Sequence, residues 1–123
     1  MESTMTFGCL RKDIKLIRGD TVKLKIRRHD ANGDPILVPA QKLFMTVKTQ
    51  YSAKNVILQK TIDDMFFTPD GFYHITINPE DTDGLPYGEY VYDIEIVIDD
   101  YKKTVCKGTL ILDTEATHAG DEV

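Results

Sequence analysis

One stretch limits the possible folds of this chain more than any other: residues 78–98, which read N-P-E-D-T-D-G-L-P-Y-G-E-Y-V-Y-D-I-E-I-V-I. It starts with a dense turn signal and continues as the longest strand pattern in the chain. Apolar side chains occupy every second position, a period that is typical of a β-strand with one face against a core. The positions expected to point inward are Tyr90, Tyr92, Ile94, Ile96 and Ile98.

The turn before this strand is expected to form a structural corner. A turn that delivers a tyrosine to the start of a long strand is typical of the corner of an immunoglobulin-like sandwich. A proline can start a helical turn, and Asp81 or Thr82 can cap it. We therefore assign Asp81, Thr82, Tyr90 and Tyr92 to this corner.

The other strand patterns predict an all-β protein. Short alternating segments recur roughly every 8–12 residues without crossover helices, which favours an antiparallel sandwich over a parallel sheet. We predict an immunoglobulin-like antiparallel β-sandwich of about seven to eight strands, with Gly108 in a bulge of the last strand. The predicted strands are residues 13–17, 21–28, 36–38, 43–49, 56–62, 72–77, 90–98 and 102–112.

The two ends of the sequence are expected to lie outside the sandwich domain of residues 13–112. We expect residues 1–12 to form a flexible N-terminal segment. Residues 113–123 read D-T-E-A-T-H-A-G-D-E-V, an acidic tail without periodicity. Such a tail is either mobile or becomes ordered on a partner.

Size and charge exclude some function classes. The 123 residues suffice for one domain with a real core. A net charge of −5 disfavours a nucleic-acid surface, and no apolar run approaches the roughly 20 residues that a membrane span needs. The nearest basic group is interpreted as the solvated outer face of a strand: Lys23, Lys25, Arg27 and Arg28.

The two cysteines, Cys9 and Cys106, leave a question open. They could link the first and last strands of a sandwich. Because no secretory signal precedes them, the default is two thiols in a reducing compartment. The sequence therefore predicts a protein made in the cytoplasm.

Catalytic and metal-binding patterns are weak. His29, His74 and His118 have no partners at metal-ligand or triad spacing, so we expect no enzyme and no cofactor. Residues 30–34 resemble the opening of a calcium loop, but an EF-hand needs Gly at its sixth position and Glu at its twelfth, where Pro35 and Gln41 stand. A turn explains these residues better. The tripeptide at residues 18–20, R-G-D, is too short to indicate adhesion.

Tyrosines offer an alternative function. Tyr87, Tyr90, Tyr92 and Tyr101 could stack on sugar rings if they were exposed and coplanar. The alternation favours a core position for Tyr90 and Tyr92, which leaves Tyr87 and Tyr101 as possible surface contacts. A carbohydrate- or calcium-binding surface module is therefore the alternative hypothesis.

Several segments together resemble a known family. They are R-G-D-T at residues 18–21, the N-G-D-P loop, D-G-F-Y-H-I-T-I-N-P-E-D-T at 70–82, L-P-Y-G-E-Y-V-Y-D-I at 85–94 and the closing G-T-L-I-L. They are similar to small β-sandwich proteins of phages and prophages, in particular the N-terminal domain of baseplate upper proteins and related virion immunoglobulin-like modules. The resemblance covers about residues 14–112.

This resemblance implies a structural virion component without catalysis. Such a module would dock onto tail, baseplate or capsid proteins after synthesis in the host bacterial cytoplasm, as a homo-oligomer or in a symmetric assembly. From the net charge and the lack of a long apolar run, we expect no nucleic-acid or membrane partner. Baseplate upper proteins carry coiled-coil and fibre regions that this sequence lacks, so a stand-alone decoration or adaptor protein is also implied.

Overall fold

The computed structural model describes residues 4–7, 11–38, 40, 42–63 and 67–114. These residues form eight strands and one short helix. In chain order the elements are β1 (Thr4–Phe7), β2 (Ile14–Ile17), β3 (Val22–Arg27), β4 (Lys42–Lys48), β5 (Leu58–Asp63), β6 (Phe72–Ile77), α1 (Pro79–Thr82), β7 (Gly88–Ile98) and β8 (Tyr101–Asp113).

The strands form two sheets, one in the order β1-β3-β6 and the other in the order β2-β8-β7-β4-β5. Alternating residues of both sheets contribute to one hydrophobic core. In β3, for example, Val22, Leu24 and Ile26 are buried while the lysines between them point outward. The domain is therefore a β-rich sandwich, as the period-two patterns predict. Among the described residues, no helix is long and apolar enough to cross a membrane.

The sandwich is not purely antiparallel, which corrects the prediction. β1 pairs with β3 in parallel, and β2 pairs with β8 in parallel. A parallel pair needs a crossover connection, and here the chain crosses from β1 in one sheet through β2 in the other before returning in β3. Side-chain alternation carries no information about strand direction, so the sequence pattern could not distinguish the two arrangements.

The predicted strands 90–98 and 102–112 pair as the β7–β8 hairpin, but the predicted bulge at Gly108 is misplaced. Ile98 pairs with Tyr101, so Asp99 and Asp100 form the two-residue turn. Asp99 has φ 52°, a left-handed conformation that Asp tolerates better than most residues. The register shifts opposite residues 94 and 95, which makes Val105 rather than Gly108 the extra residue.

Two predicted strand segments also differ from the structure. Residues 36–38 form no strand: the Ile36 amide donates to the Arg28 carbonyl (2.9 Å), and beyond it Leu37 and Val38 are exposed. β5 begins at Leu58, two residues later than predicted, because Ile57 still belongs to the turn in which its amide bonds to Val47 O (2.8 Å). Conversely, β1 was not among the predicted strands: its residues, T-M-T-F, alternate between polar and apolar, but four residues are too short a run to predict a strand.

Two adjacent phenylalanines, Phe66 and Phe67, precede β6. Phe66 lies outside the described residues. Phe67 is half-buried and packs edge-on against Tyr73, with 4.7 Å between ring centroids. The Ala40 amide donates a hydrogen bond to the Tyr73 hydroxyl, so this buried phenol has a polar partner.

Candidate functional site

The corner between β6 and β7 is built around the carboxylate of Asp81. This carboxylate accepts a hydrogen bond from the backbone amide of Asn78 (2.7 Å), which stabilises the first turn of α1. It also forms an ion pair with Lys60 (2.5 Å), and both side chains are mostly buried, with 20% and 17% exposed. Because Lys60 belongs to β5, the ion pair links the five-stranded sheet to the corner that follows the three-stranded one.

Thr82 and Leu85 hold the β2–β3 turn against this corner. The Thr82 hydroxyl is buried and accepts a hydrogen bond from the Gly19 amide (2.9 Å). Arg18 donates to the Leu85 carbonyl (3.2 Å), and its guanidinium lies 4.1 Å from the centre of the Tyr87 ring. The arginine of the R-G-D tripeptide is therefore engaged in contacts within the fold.

Tyr90 joins the corner to the core. Its ring is buried, with 7% of the residue exposed, and its hydroxyl donates to the Pro86 carbonyl four residues upstream (2.6 Å). A tyrosine at the start of a strand that bonds back to the preceding turn has the geometry of a tyrosine corner. The bond fixes the angle at which the chain enters β7.

Tyr92 anchors a different element, the segment before β2. Its hydroxyl donates to the Lys12 carbonyl and lies 3.5 Å from Cys106 Sγ. Burial, followed by the contact with Cys106, raises the pKa of Tyr92, so the phenol stays protonated. Cys106 is buried, whereas Cys9 lies outside the described residues.

The pairing of this N-terminal segment with β8 is interrupted at one point. The Lys12 amide bonds to Lys107 O (3.0 Å), but the next contact uses a side chain, because the Asp13 carboxylate accepts from the Thr109 amide (3.0 Å). At this kink the Lys12 backbone lies directly over Gly108. A Cβ on Gly108 would come within 2.1 Å of Lys12 O, so only glycine fits there.

Tyr87 and Tyr101, the predicted surface contacts, are 39% and 57% exposed. They lie at opposite ends of the 11-residue strand β7, about 30 Å apart from the rise per residue. Together with the burial of Tyr90 and Tyr92, this separation means that the four tyrosines do not form one stacking platform. The sequence analysis did not single out Tyr51, which is 47% exposed and donates to Gly108 O (3.1 Å). Its neighbours in the sequence are polar and show no pattern that would indicate a structural or binding role.

The acidic loop at residues 30–34 is arranged as a turn. The carboxylate of Asp30 accepts hydrogen bonds from the amides of Asn32 (2.9 Å) and Asp34 (3.0 Å). Gly33 has φ +85°, in the region that favours glycine. Among the described residues, no group of three or more His, Cys, Asp or Glu side chains is placed to hold a metal ion.

The outer face of the three-stranded sheet carries a row of cations. Lys23, Lys25 and Arg27 alternate along β3, and Lys25 Nζ and Arg27 Cζ lie 4.8 Å and 4.5 Å from the centre of the Phe72 ring. Phe72 is directly opposite Arg27 in the neighbouring strand β6. We call Lys23, Lys25 and Arg27 the cationic row. The aromatic ring holds two of its charges in place.

Asp93 lies on the outer face of the five-stranded sheet. Its Oδ1 atom is buried without a hydrogen-bond partner among the described residues. Burial, followed by the neighbouring Glu95, raises the pKa of Asp93, whereas Lys48 acts in the opposite direction. Asp93 lines a shallow depression together with Thr46, Lys48, Tyr51, Val91 and Tyr92.

The fold and its corner together define a class, a small β-sandwich module. Comparison with solved structures finds a similar fold in a phage protein. The N-terminal domain of phage TP901-1 ORF48 has a similar structure, with a TM-score of 0.53 over 92% of this chain and 99% of that chain, at 12% sequence identity. No protein-family model matches the sequence. No curated protein matches it either.

Proposed function

We propose that this protein is a non-catalytic structural component of a phage or prophage virion, located in the tail, the baseplate or the capsid decoration. The observation that carries the proposal is the fold shared with the phage domain over nearly the whole of both chains. The sequence segments that resemble baseplate upper proteins support the same class independently. In this role the chain is made in the host cytoplasm and then incorporated into the virion.

The sandwich is of the immunoglobulin-like kind in this proposal. The β3–β6 pair faces a sheet that contains β8, β7 and β4 in that order, with β5 added at the edge. Immunoglobulin-like domains have the corresponding arrangement, in which B and E face G, F and C, and variable-type domains add a further edge strand. The Tyr90–Pro86 hydrogen bond supplies the tyrosine corner of that architecture.

Sheet edges and chain ends make the contacts with other virion proteins or with further copies of this chain. β5 and β6 each lie at the edge of a described sheet, and an edge strand offers backbone groups to a neighbouring chain. In a symmetric particle the same weak contact is repeated many times, so modest individual affinities suffice. Tyr101, exposed at the β7–β8 hairpin, is a further contact in this proposal.

The experiment that tests this role is an in-frame deletion of the coding sequence in an inducible prophage that carries it. We expect induction to replicate phage DNA normally but to release particles that lack a substructure or fail to assemble, as seen by negative-stain electron microscopy. Complementation with the wild-type gene should restore the particles. Complete, infectious particles without the gene would contradict the proposal.

The alternative is a surface module that binds carbohydrate or calcium. A ligand that binds the native state but not the unfolded state raises the melting temperature, and the rise grows with the logarithm of ligand concentration over Kd. Melting curves with and without Ca²⁺ or a glycan mixture therefore separate the two hypotheses. The virion role predicts unchanged midpoints, and a clear rise would favour the alternative.

A further inference from the structure

We infer that Asn32, in the exposed loop between β3 and β4, is a site of spontaneous deamidation, a reaction that converts its side-chain amide into a carboxylate. The inference goes beyond the proposed function, because it concerns a covalent change of the chain that depends on no partner. It rests on three observations: the residue that follows Asn32, the exposure of both residues and the turn that holds them.

The residue after an asparagine determines how readily this reaction occurs. The backbone nitrogen of that next residue, after losing its proton to solvent base, attacks the side-chain carbonyl carbon Cγ of the asparagine. A Cγ–N bond forms, the Cγ–Nδ2 bond breaks, and ammonia leaves with a proton taken from solvent. The product is a cyclic imide. Water then opens the ring at either of its carbonyl carbons, which leaves an aspartyl or an isoaspartyl residue.

Of the three asparagines in the chain, Asn32 is followed by the residue that favours this attack. Gly33 has no side chain that could obstruct its backbone nitrogen. The other two asparagines are Asn55, before Val56, and Asn78, before Pro79. A branched Cβ crowds the attacking nitrogen, and a proline has no backbone N–H to lose.

Asn32 and Gly33 are both exposed, so water and base reach them. A Cβ built on Gly33 would meet no atom within 4 Å, so the space around this residue is open. Among the described residues, no hydrogen bond holds the side-chain amide of Asn32. Exposure alone does not select the site, because Asn55 is exposed as well.

The turn of this loop sets the rate of the reaction. The Gly33 amide donates to the Asp30 carbonyl (3.0 Å), so the nitrogen that must lose its proton is engaged in a hydrogen bond. The carboxylate of Asp30 holds the same turn closed through the amides of Asn32 (2.9 Å) and Asp34 (3.0 Å). Asn32 therefore reacts from the fraction of molecules in which the turn has opened, and Asp30 controls that fraction.

The reaction changes the loop in two ways. Either product places a carboxylate at position 32, between those of Asp30 and Asp34, so the loop gains a negative charge. The isoaspartyl product also adds a carbon to the backbone, which moves Gly33 and Asp34 out of register with their acceptors on Asp30. A structural protein that is not replaced after assembly accumulates such changes with age.

Peptide mapping of the aged full-length protein tests the site. The wild type would be incubated at neutral and at mildly alkaline pH, digested and analysed by mass spectrometry with fragmentation that distinguishes aspartyl from isoaspartyl residues. We expect the peptide with Asn32 to gain one mass unit over weeks, faster at the higher pH, while those with Asn55 and Asn78 stay unchanged. An intact Asn32, or an equally fast change at Asn55, would overturn the inference.

Two variants separate the turn from the charge of the loop. Asp30→Ala removes the acceptor of both side-chain hydrogen bonds and should speed the loss of the Asn32 amide about fivefold. Asp34→Ala removes the same charge, but among the described residues Asp34 joins the turn through backbone atoms only, so the rate should stay within about twofold of the wild type.

Equal rates in Asp30→Ala and Asp34→Ala would overturn the control by the turn. Both variants should melt within a few degrees of the wild type, and mapping of the wild type tests the site even where a variant does not fold. Neither result bears on the virion role, which the gene deletion tests separately.

Discussion

Gly108 lies so close beneath the Lys12 backbone that a Cβ at this position would come within 2.1 Å of the Lys12 carbonyl oxygen. The same carbonyl accepts the hydrogen bond of Tyr92, so the two contacts hold the N-terminal segment against β7 and β8. We expect Gly108→Ala to displace this segment and to lower the free energy of unfolding by about 3 kcal/mol. Urea denaturation measures this loss.

The control for this substitution is Lys107→Ala. The Lys107 side chain is exposed, and the substitution keeps the backbone carbonyl of residue 107, which bonds to the Lys12 amide. Its stability should stay within about 0.5 kcal/mol of the wild type. A Gly108→Ala variant as stable as this control would contradict the close approach.

The hydrogen bond from Tyr90 to the Pro86 carbonyl is expected to stabilise the corner. Tyr90→Phe keeps the ring in the core but removes the hydroxyl, which should cost about 1–2 kcal/mol. Tyr101→Phe removes a hydroxyl from a side chain that is 57% exposed and should be nearly neutral. Chemical denaturation of both variants provides the comparison. Equal stabilities would mean that the corner bond contributes nothing.

The Lys60–Asp81 ion pair links the two sheets where solvent screens it little. Lys60→Met leaves the carboxylate of Asp81 poorly solvated and should cost about 1–2 kcal/mol, less than a fully buried pair. The exposed Lys15–Asp113 pair is a matched control, because Lys15→Met should cost less than about 0.5 kcal/mol. A double-mutant cycle with Asp81→Asn measures the coupling. Zero coupling would show that the two charges act independently.

Asp93 should make the protein less stable as the pH rises. Because burial raises its pKa in the folded state above the ordinary 3.8, the folded state binds the proton more tightly, and stability falls as the pH increases from 3.8 through the raised value. Asp93→Asn should therefore raise the melting temperature at about pH 7, and the gain should disappear below pH 3.8.

Asp113 provides the control of opposite sign. Hydrogen bonding by the Thr114 amide, followed by Lys15, lowers its pKa, so it contributes stability that is present above 3.8 and lost as the pH falls through the lowered value. Asp113→Asn should lower the melting temperature slightly at about pH 7. If Asp93→Asn behaved in the same way, the charge on Asp93 would not be disfavoured in the folded state.

Period-two patterns identified most strands because burial of one face determines which residues can alternate. The inward side chains of β3, β4 and β7 show this directly. The patterns failed where other forces decide. The parallel pairing of β1 with β3 and of β2 with β8 depends on how the chain crosses between sheets. The position of the bulge at Val105 depends on the register between β7 and β8.

The corner was foreseeable only in part. Tyr90, Asp81 and Thr82 are side chains that cap turns, so their types carried a signal. Their partners did not, because Lys60 and Gly19 are distant in sequence and ordinary in context. Gly108 carried a signal with two meanings, since a glycine within a strand marks either a bulge or a close backbone approach. The structure shows the second.

The central claim is that this chain is a part of a virion, and mass spectrometry of purified particles tests it most directly. Particles would be induced from the strain that encodes the chain, separated on a density gradient and digested. We expect peptides of this chain in the particle fraction, in a fixed ratio to other structural proteins. Peptides found only in the soluble lysate, with none in the particles, would contradict the claim.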